Sequence, residues 1–386
     1  MRKEVYITDY NCVTPLGMNV ASNWSALLQG QSGVALHKII ENQEAFYASM
    51  IDSEKLEEEF SKFFGYTQND KAGFTRLEKM FLLCLKPLVE KHNITKETAF
   101  ILSTTKGNIS LLKNQSVLPE GIYLSGLAQK IADFFGFYTK PIVVSNACVS
   151  GVMAISVAKN MIQAGKYQDA FVVAGDEISE FVISGFNSFQ AIGDGPCKPY
   201  DKNRNGINIG EATAAAYITS MPSENGKARF KILGDSAIND ANHISGPSRT
   251  GDGLFASIKN AMTEAKVSAE QIDFISAHGT ATLYNDEMEA IAFNRMELQH
   301  VPLNSMKGFY GHCLGASGLL ESIISMESAL HNTLLPSQNF EEPGTSQPLH
   351  IIKESQPAEI SYILKTASGF GGCNAAIVLE KMLIGK

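Results

Sequence analysis

A chain of 386 residues, with 44% hydrophobic and 19% charged side chains, has enough apolar mass for two packed units or one large doubled fold. Its formal charge of −8 excludes a general binder of the phosphate backbone, which needs clustered Lys and Arg, so no nucleic-acid partner is expected. Six cysteines (Cys12, Cys84, Cys148, Cys197, Cys313 and Cys373) form no CxxC pair and no regular spacing, which argues against a disulfide framework or a zinc knuckle and fits a reducing cytoplasm.

At the N-terminus, "MRKEVYITDYNCVTPLG" runs from basic residues straight into a strand-like segment without an apolar h-region. No stretch approaches the roughly 18 apolar residues of a membrane span. Neither a signal peptide nor a membrane partner is expected.

Strand-like and helical patterns then alternate along the chain, the signature of an α/β fold with largely parallel sheets. Residues 141–145 (PIVVS) read as a buried strand, 149–164 as a helix closed by Gly165, and 170–175 (AFVVAG) as the next buried strand, which makes a βαβ unit. Val152, Met153, Ile155, Val157, Met161 and Ile162 cover nearly every side of that helix, so it is expected between layers rather than on a surface. The pattern returns in the second half: a strand at 272–277, a helix near 286–299, a strand at 301–306 and a helix near 315–331. This weak duplication divides the chain into halves 1–224 and 225–386, meeting near 220–228 (SMPSENGKA). The polar stretch 339–348 (NFEEPGTSQP) reads as a surface loop.

Four segments stand out chemically. In "VSNACVSGVMAI" (144–155), Cys148 sits where a strand breaks through small residues into the first turn of a helix. A lone cysteine usually serves packing. At a helix N-terminus, however, free N–H groups and the macrodipole favour an anion, so a lowered thiol pKa is expected here. "SAHGTAT" (276–282), "SMKGFYGHCLGASG" (305–318) and "SGFGGCN" (368–374) each follow a strand-like run and contain glycine, as loops do where backbone approaches a ligand closely. Singly, His278 and His312 would pass as structural histidines, and the glycines as ordinary turns.

Jointly, in this order, the four segments resemble the condensing enzymes of the thiolase superfamily, and among them the elongating, synthase II-like β-ketoacyl-[acyl carrier protein] synthases. The resemblance covers nearly the whole chain. It includes "VTPLGMNVASNWSALLQGQSGV" with Trp24, Gly30, Ser32 and Gly33, "KPYDKNRNGINIGEA" (198–212), "DANHISGP" (240–247), Lys307 five residues before His312, and Phe370 inside "GFGG". It implies an α/β, thiolase-like duplicated fold, layered αβαβα with two mixed sheets. It further implies an acyltransferase that condenses an acyl-enzyme with malonyl-acyl carrier protein, with loss of carbon dioxide, to give 3-oxoacyl-acyl carrier protein in a fatty acid, polyketide or polyene pathway.

The same resemblance implies the roles of single residues. Cys148 would be the nucleophile, His278 and His312 neutral donors at Nε2, and the backbone N–H groups of Cys148 and Phe370 the oxyanion hole. Lys307 and Glu289 look like a buried pair bracing the histidines, with ordinary surface pairing as the alternative. Thr280 and Thr282 match threonines that hydrogen-bond the phosphopantetheine arm. Lys198 matches a position in the carrier-protein patch, with Lys202 and Arg204 close by in sequence and Lys71 and Arg76 on a separate segment. The partners implied are an acidic acyl carrier protein and a second subunit, as homodimer or as heterodimer with a related synthase, joined through the strand near 141–145. No metal, nucleotide or redox cofactor is expected, because Walker and dinucleotide-type glycine motifs are absent and the phosphopantetheine arrives on the carrier. A discrete cytoplasmic enzyme without fused acyltransferase or carrier domains is expected. Cys313, Cys373, His243 and His300 are expected to be structural.

Other readings fit less well. About 130 residues separate Cys148 from His278, as in papain-like hydrolases, but the C-G-[SA]-C-[WY] signature is missing. Initiating synthases carry Asn in place of His312, and thiolases carry a second cysteine ahead of the terminal glycines. Inactive partner subunits replace the nucleophile, which is present here. Three departures from the pattern bear on specificity: the segments 106–148 and 185–198 are compact, and Ser368 stands where many relatives carry a further Phe. The acyl pocket is therefore expected to differ from that of a fatty-acid elongation enzyme and to suit rigid or unsaturated chains, with Ser368 and Phe370 touching substrate.

Overall fold

Strand and helix alternate as the hydrophobic pattern predicts in the computed structural model, which describes residues 3–38, 45–65, 73–112, 118–221, 228–241 and 246–383. Ten strands form the frame: β1 (Tyr6–Val13), β2 (Thr98–Ser103), β3 (Ile142–Val144), β4 (Asp169–Asp176), β5 (Ala212–Thr219), β6 (Ala228–Asn239), β7 (Phe274–Ser276), β8 (Leu303–Asn304), β9 (Tyr362–Gly369) and β10 (Cys373–Leu383). Their order is β8-β7-β9-β10-β6-β1-β5-β4-β2-β3. Adding five to each label of the first half, β1-β5-β4-β2-β3, gives the second, β6-β10-β9-β7-β8. The directions repeat too: β2 runs parallel to β3 and β4, β7 parallel to β8 and β9, and the remaining pairs in each half are antiparallel. Both five-stranded sheets are thus mixed. They join at a short seam, Tyr6 with Lys231 and Ile7 with Phe230, so that hydrogen bonding continues across all ten strands.

Helices α1 (Arg76–Lys91), α2 (Ser150–Gln163), α3 (Asp252–Ala265), α4 (Leu283–Arg295) and α5 (Ser317–Leu330) complete the layers. Side chains alternate along each buried strand. On β4, Ala170, Val172 and Ala174 enter a central core with Val152 and Ile155 of α2 and Ile323 of α5, while Phe171 and Val173 enter an outer core with α1. On β10, Ala375, Ile377 and Leu379 face the same centre, and Ala376 and Val378 face α3 and α4. Both faces of each half-sheet are covered, which is why the strands read as continuous apolar runs rather than as polar-apolar alternation. The result is five layers, with α2 and α5 in the middle as the all-round apolar pattern of α2 predicts.

The two central helices start back to back. A Cβ on Gly151 would lie 2.7 Å from both the Gly315 carbonyl oxygen and the Leu319 nitrogen, and a Cβ on Gly318 would lie 2.7 Å from the Val152 nitrogen. Only glycine permits this approach, and it brings the loops that precede the two helices together. Gly151→Ala is expected to force the helices apart and cost about 1–3 kcal/mol, the usual range for overpacking. A lowered denaturant midpoint at unchanged slope would show it, and an unchanged midpoint would contradict it.

Boundaries differ from the sequence expectation where the chain offers no signal. The helix expected near 286–299 is Leu283–Arg295, because Glu297 takes a left-handed φ of 59° and the Leu298 N–H turns back to the Phe293 carbonyl, with no glycine to announce the stop. The strand expected at 301–306 shrinks to Leu303–Asn304. The predicted junction at 220–228 falls mostly on 222–227, which lies outside the described residues, as do Lys71, His243 and 242–245 of the "DANHISGP" stretch. Among the described residues no helix is long and apolar enough to cross a membrane.

Candidate active site

Cys148 stands on an elbow between β3 and α2. Ala147 takes a left-handed φ of 42°, which an alanine adopts only when its surroundings enforce it. Ser150 supplies that enforcement: its hydroxyl accepts from the Asn146 N–H at 2.8 Å and donates to the Ala147 carbonyl at 2.6 Å. The helix itself begins at Ser150, so Cys148 precedes it rather than occupying its first turn.

This corrects the expectation of a lowered thiol pKa. Burial pushes the Cys148 thiol up to about 12, and the proximity of Cys373 adds to the rise, against opposition from Lys307, the Phe370 N–H and Lys106. Desolvation outweighs the helix terminus because the side chain is almost completely covered.

The two imidazoles converge on the sulfur. His312 Nε2 lies 2.9 Å from Cys148 Sγ, and the His278 and His312 rings meet edge to face with centroids 5.2 Å apart. Burial, then the positive charges nearby, hold both imidazoles well below the ordinary histidine pKa, so both are neutral at pH 7. On its far side His312 Nδ1 meets the Ser317 hydroxyl at 3.0 Å. A hydroxyl can donate or accept, so either tautomer of His312 is satisfied. The three donor atoms lie within 4.8 Å of one another, a Cys/His set of the kind a soft cation such as zinc accepts. An ion held there would occupy the sulfur lone pairs and both ring nitrogens.

The loop carrying His278 is pinned from every side. Glu289 on α4 accepts the His278 N–H at 2.8 Å and the Gly279 N–H at 2.7 Å, and the Tyr200 hydroxyl donates to it at 2.9 Å. Lys307 Nζ donates to the His278 carbonyl at 2.6 Å. The expected pairing of Lys307 with Glu289 is corrected: Lys307 pairs with Glu321 at 2.8 Å, because Glu289 spends its oxygens on the backbone of the histidine loop. Glu321 also binds Lys365 at 2.5 Å. The loop around His312 is tied to the first half by Asp176, which accepts from the N–H of Gly315 at 2.8 Å and from the Thr104 hydroxyl at 2.8 Å.

A cavity of about 510 Å³ opens from the surface onto Cys148, His278 and His312. Thr280 and Thr282 line it with hydroxyls 2.8 Å apart. The Phe370 ring lies 5.5 Å from Phe186 and 5.1 Å from Phe189, making an aromatic wall. Ser368 lines the cavity as well, its hydroxyl donating to Asn374 Oδ1 at 2.8 Å. Cys313 and Cys373 are buried, with sulfur-to-carbonyl contacts to Tyr310 and Phe370.

Of the residues expected in a basic patch, Arg204 is turned inward, Lys198 and Lys202 stay at the surface beside acidic side chains, and Lys71 lies outside the described residues. Arg204 is buried, its guanidinium donating to the carbonyls of Asp201 at 2.9 Å and Gly344 at 2.6 Å and lying 3.7 Å from Asp286, so it braces the interior. Lys202 pairs with Glu342 at 3.3 Å and Lys198 lies 4.0 Å from Glu341. The loop 339–348 folds over this segment and brings the glutamates with it, which separation in sequence concealed. Arg76 is bound to the buried Glu211.

Glu321, Lys365, Ser317, Asp176, Tyr200, Phe186 and Phe189 were not singled out from the sequence. Two of them carried a legible sign. Glu321 interrupts the apolar "LLESIISM", and Lys365 interrupts the buried strand "YILKTASG".

An elbow cysteine facing two neutral imidazoles at the end of a cavity, in a doubled α/β frame, has the nucleophile and hydrogen-bond donors that acyl transfer uses. The Beta-ketoacyl synthase, N-terminal domain model matches residues 2–221 and the Beta-ketoacyl synthase, C-terminal domain model matches 230–341. The chain therefore belongs to the beta-ketoacyl synthase family, acyltransferases that join acyl units by Claisen condensation in fatty acid or polyketide synthesis. It is 28% identical to a 3-oxoacyl-[acyl-carrier-protein] synthase 2 of Coxiella burnetii, over 99% of both chains, and 27% identical to that of Vibrio cholerae, over 99% of this chain and 100% of the other. Among solved structures, a ketosynthase in complex with its chain length factor from Xenorhabdus doucetiae superposes with a TM-score of 0.85 at 25% identity, over 98% of each chain.

Proposed function

We propose that the chain is the catalytically active subunit of a 3-oxoacyl-[acyl carrier protein] synthase, with Cys148 as acyl acceptor and the two histidines as the decarboxylation site. The observation that carries this reading is the 2.9 Å contact between Cys148 Sγ and His312 Nε2 inside a cavity that also holds His278.

Acylation follows from that contact. His312, with its lone pair at Nε2 and its Nδ1–H on Ser317, takes the thiol proton as the sulfur attacks the acyl thioester carbon. The N–H groups of Cys148 and Phe370 hold the resulting oxyanion. The carbon–sulfur bond to the carrier arm breaks, and the arm thiolate leaves with the proton from Nε2. A thiol that is high in pKa at rest needs this base beside it, since no standing thiolate does the work. Condensation uses the other tautomer, in which Ser317 donates to Nδ1 and Nε2 carries the proton. A malonyl thioester loses carbon dioxide, its electron pair moves onto the thioester oxygen between the Nε2–H groups of His278 and His312, and the enolate carbon attacks the acyl group. Cys148 leaves as a thiolate and takes a proton from solvent.

The substrate arrives on an acyl carrier protein, whose phosphopantetheine arm lies along Thr280 and Thr282, and the protein's own residues supply all the acid–base chemistry without a metal or redox cofactor. The aromatic wall of Phe186, Phe189 and Phe370 beside Ser368 favours flat, unsaturated acyl chains. A second subunit, a copy of this chain or a related synthase, pairs with the outer edge of β3, which ends the ten-stranded sheet. Six free thiols fit a reducing cytoplasm. The test is mass spectrometry after incubation with acyl-carrier thioesters: the acyl mass is expected on the peptide containing Cys148, and malonyl-carrier is then expected to release it as a 3-oxoacyl thioester. An acyl group on any other cysteine would refute the assignment.

A further inference from the structure

The mouth of the catalytic cavity carries large apolar side chains that the fold leaves bare. Phe189, Leu283 and Tyr284 all line the cavity, and they are 54%, 58% and 77% exposed. One exposed apolar residue is ordinary on a protein surface. Three around a single opening mark a surface that something else covers, because each holds apolar area in water with no gain to the fold. They come from separate parts of the chain: Phe189 follows the helix Glu180–Ser188, whereas Leu283 and Tyr284 are the first two residues of α4. Phe189 packs one side of its ring on Phe370, with centroids 5.1 Å apart, and leaves the rest open. None of the three belongs to a buried apolar cluster of the described residues.

The charges nearby do not make this rim basic. Among the described residues that line the cavity, Arg204 and Asp240 are the charged ones, and the Arg204 guanidinium is turned inward onto the Asp201 and Gly344 carbonyls. On the same segment as Arg204, Lys198 and Lys202 stand beside Glu341 and Glu342. On the other side, α4 continues from Tyr284 through Asn285 to Asp286 and Glu287, both acidic.

The path of the chain shows what must sit on the rim. From His278 it runs outward through Thr280 and Thr282 to Leu283 and Tyr284, all of them lining the cavity, so one wall leads from the sulfur to the opening. An arm that reaches Cys148 while tethered to a carrier presses the carrier's surface against whatever surrounds that opening. We infer that Phe189, Leu283 and Tyr284 form the docking contact for the acyl carrier protein, and that the carrier's matching surface, around the point where its arm is attached, is apolar. Tyr284 is the anchor: it is the most exposed of the three, and an aromatic side chain covers a large area while ordering few torsions. Docking of this kind depends little on salt, whereas docking through opposite charges weakens as salt screens them.

The inference rests on the reading of the chain as a synthase that draws its acyl groups from a carrier. The test compares two donors of the same acyl group to Cys148: the acyl-carrier protein, and the acyl thioester of pantetheine, which has the arm without the carrier. Both rim positions of α4 are exposed first-turn residues where serine is accepted, so Leu283→Ser/Tyr284→Ser is the variant. Its KM for the carrier donor is expected to rise about tenfold, the usual loss for a truncated aromatic anchor, and its KM for the pantetheine donor by no more than about twofold. Equal rises would assign the two side chains to the arm, and no rise with the carrier donor would leave them without a docking role. Either result overturns the proposal.

Should the variant fail to fold, the wild-type enzyme decides. Raising the ionic strength from about 0.05 to about 0.5 M should change its KM for the carrier donor by less than about threefold, and a larger loss would identify docking through charge and overturn the proposal. Light scattering deals with the other occupant of the rim, a second subunit: the variant should keep the wild-type mass, and a dimer lost on substitution would overturn carrier docking. If the wild-type enzyme takes an acyl group from neither donor, the reading of the site has failed. If it takes one from both and the two KM values of the variant move together, only the docking contact has failed.

Discussion

Cys148→Ala is expected to take up no acyl group at all from carrier thioesters while remaining folded. No other sulfur can replace the lost one: among the cavity-lining residues Cys148 is the one cysteine, and Cys373 is directed at the Phe370 and Asn146 carbonyls. The fold should tolerate the change because the elbow is held by Ser150 and the backbone rather than by the thiol. Removing one small buried group costs about 1 kcal/mol. Malonyl decarboxylation draws on the imidazoles and not on the sulfur, so it should persist in the variant, uncoupled from condensation. Intact-mass measurement after incubation with acyl-carrier, beside a carbon dioxide assay with malonyl-carrier, checks both halves. An acylated Cys148→Ala protein, or one that has lost decarboxylation as completely as acylation, would contradict the assignment.

The site was legible in unequal degrees, for physical reasons. Cys148, His278 and His312 are visible because each sits in a glycine-containing loop after a strand, and such loops are local in sequence. The duplication was also legible, since the buried strands and the all-apolar helix recur at matched places, and the strand order bears it out label by label. Partnerships across the fold were not. Glu289 and Glu321 are both buried acids near Lys307, and only the way the histidine loop folds decides that the first serves backbone N–H groups and the second the ammonium. Arg204 looked like a surface cation beside two lysines until the loop 339–348 covered it. The thiol pKa was misjudged for a related reason: a helix start can be read from sequence, but complete burial of the side chain at that start cannot.

The contact between sulfur and His312 also redistributes the work of the two histidines, and His278→Ala should expose it. The sequence assigns the two histidines one shared donor role, whereas in the structure the ring within hydrogen-bond distance of Sγ is that of His312. His278 is thus left with the enolate alone. Its loop does not depend on the ring, because Glu289 holds the His278 and Gly279 N–H groups and Lys307 holds the carbonyl. The His278→Ala enzyme should therefore keep its loop and accept an acyl group on Cys148 within a few-fold of the wild-type rate. Decarboxylation of malonyl-carrier should fall by about 10²–10³, the usual loss for one preorganised oxyanion donor. His312→Ala, which removes both the thiol's base and the second donor, should slow both steps. Radiolabelled acyl transfer and carbon dioxide release, measured separately on the two variants, give the comparison. Equal losses of both steps in His278→Ala would return the sulfur to shared control, and decarboxylation within tenfold of wild type would remove His278 from the enolate site.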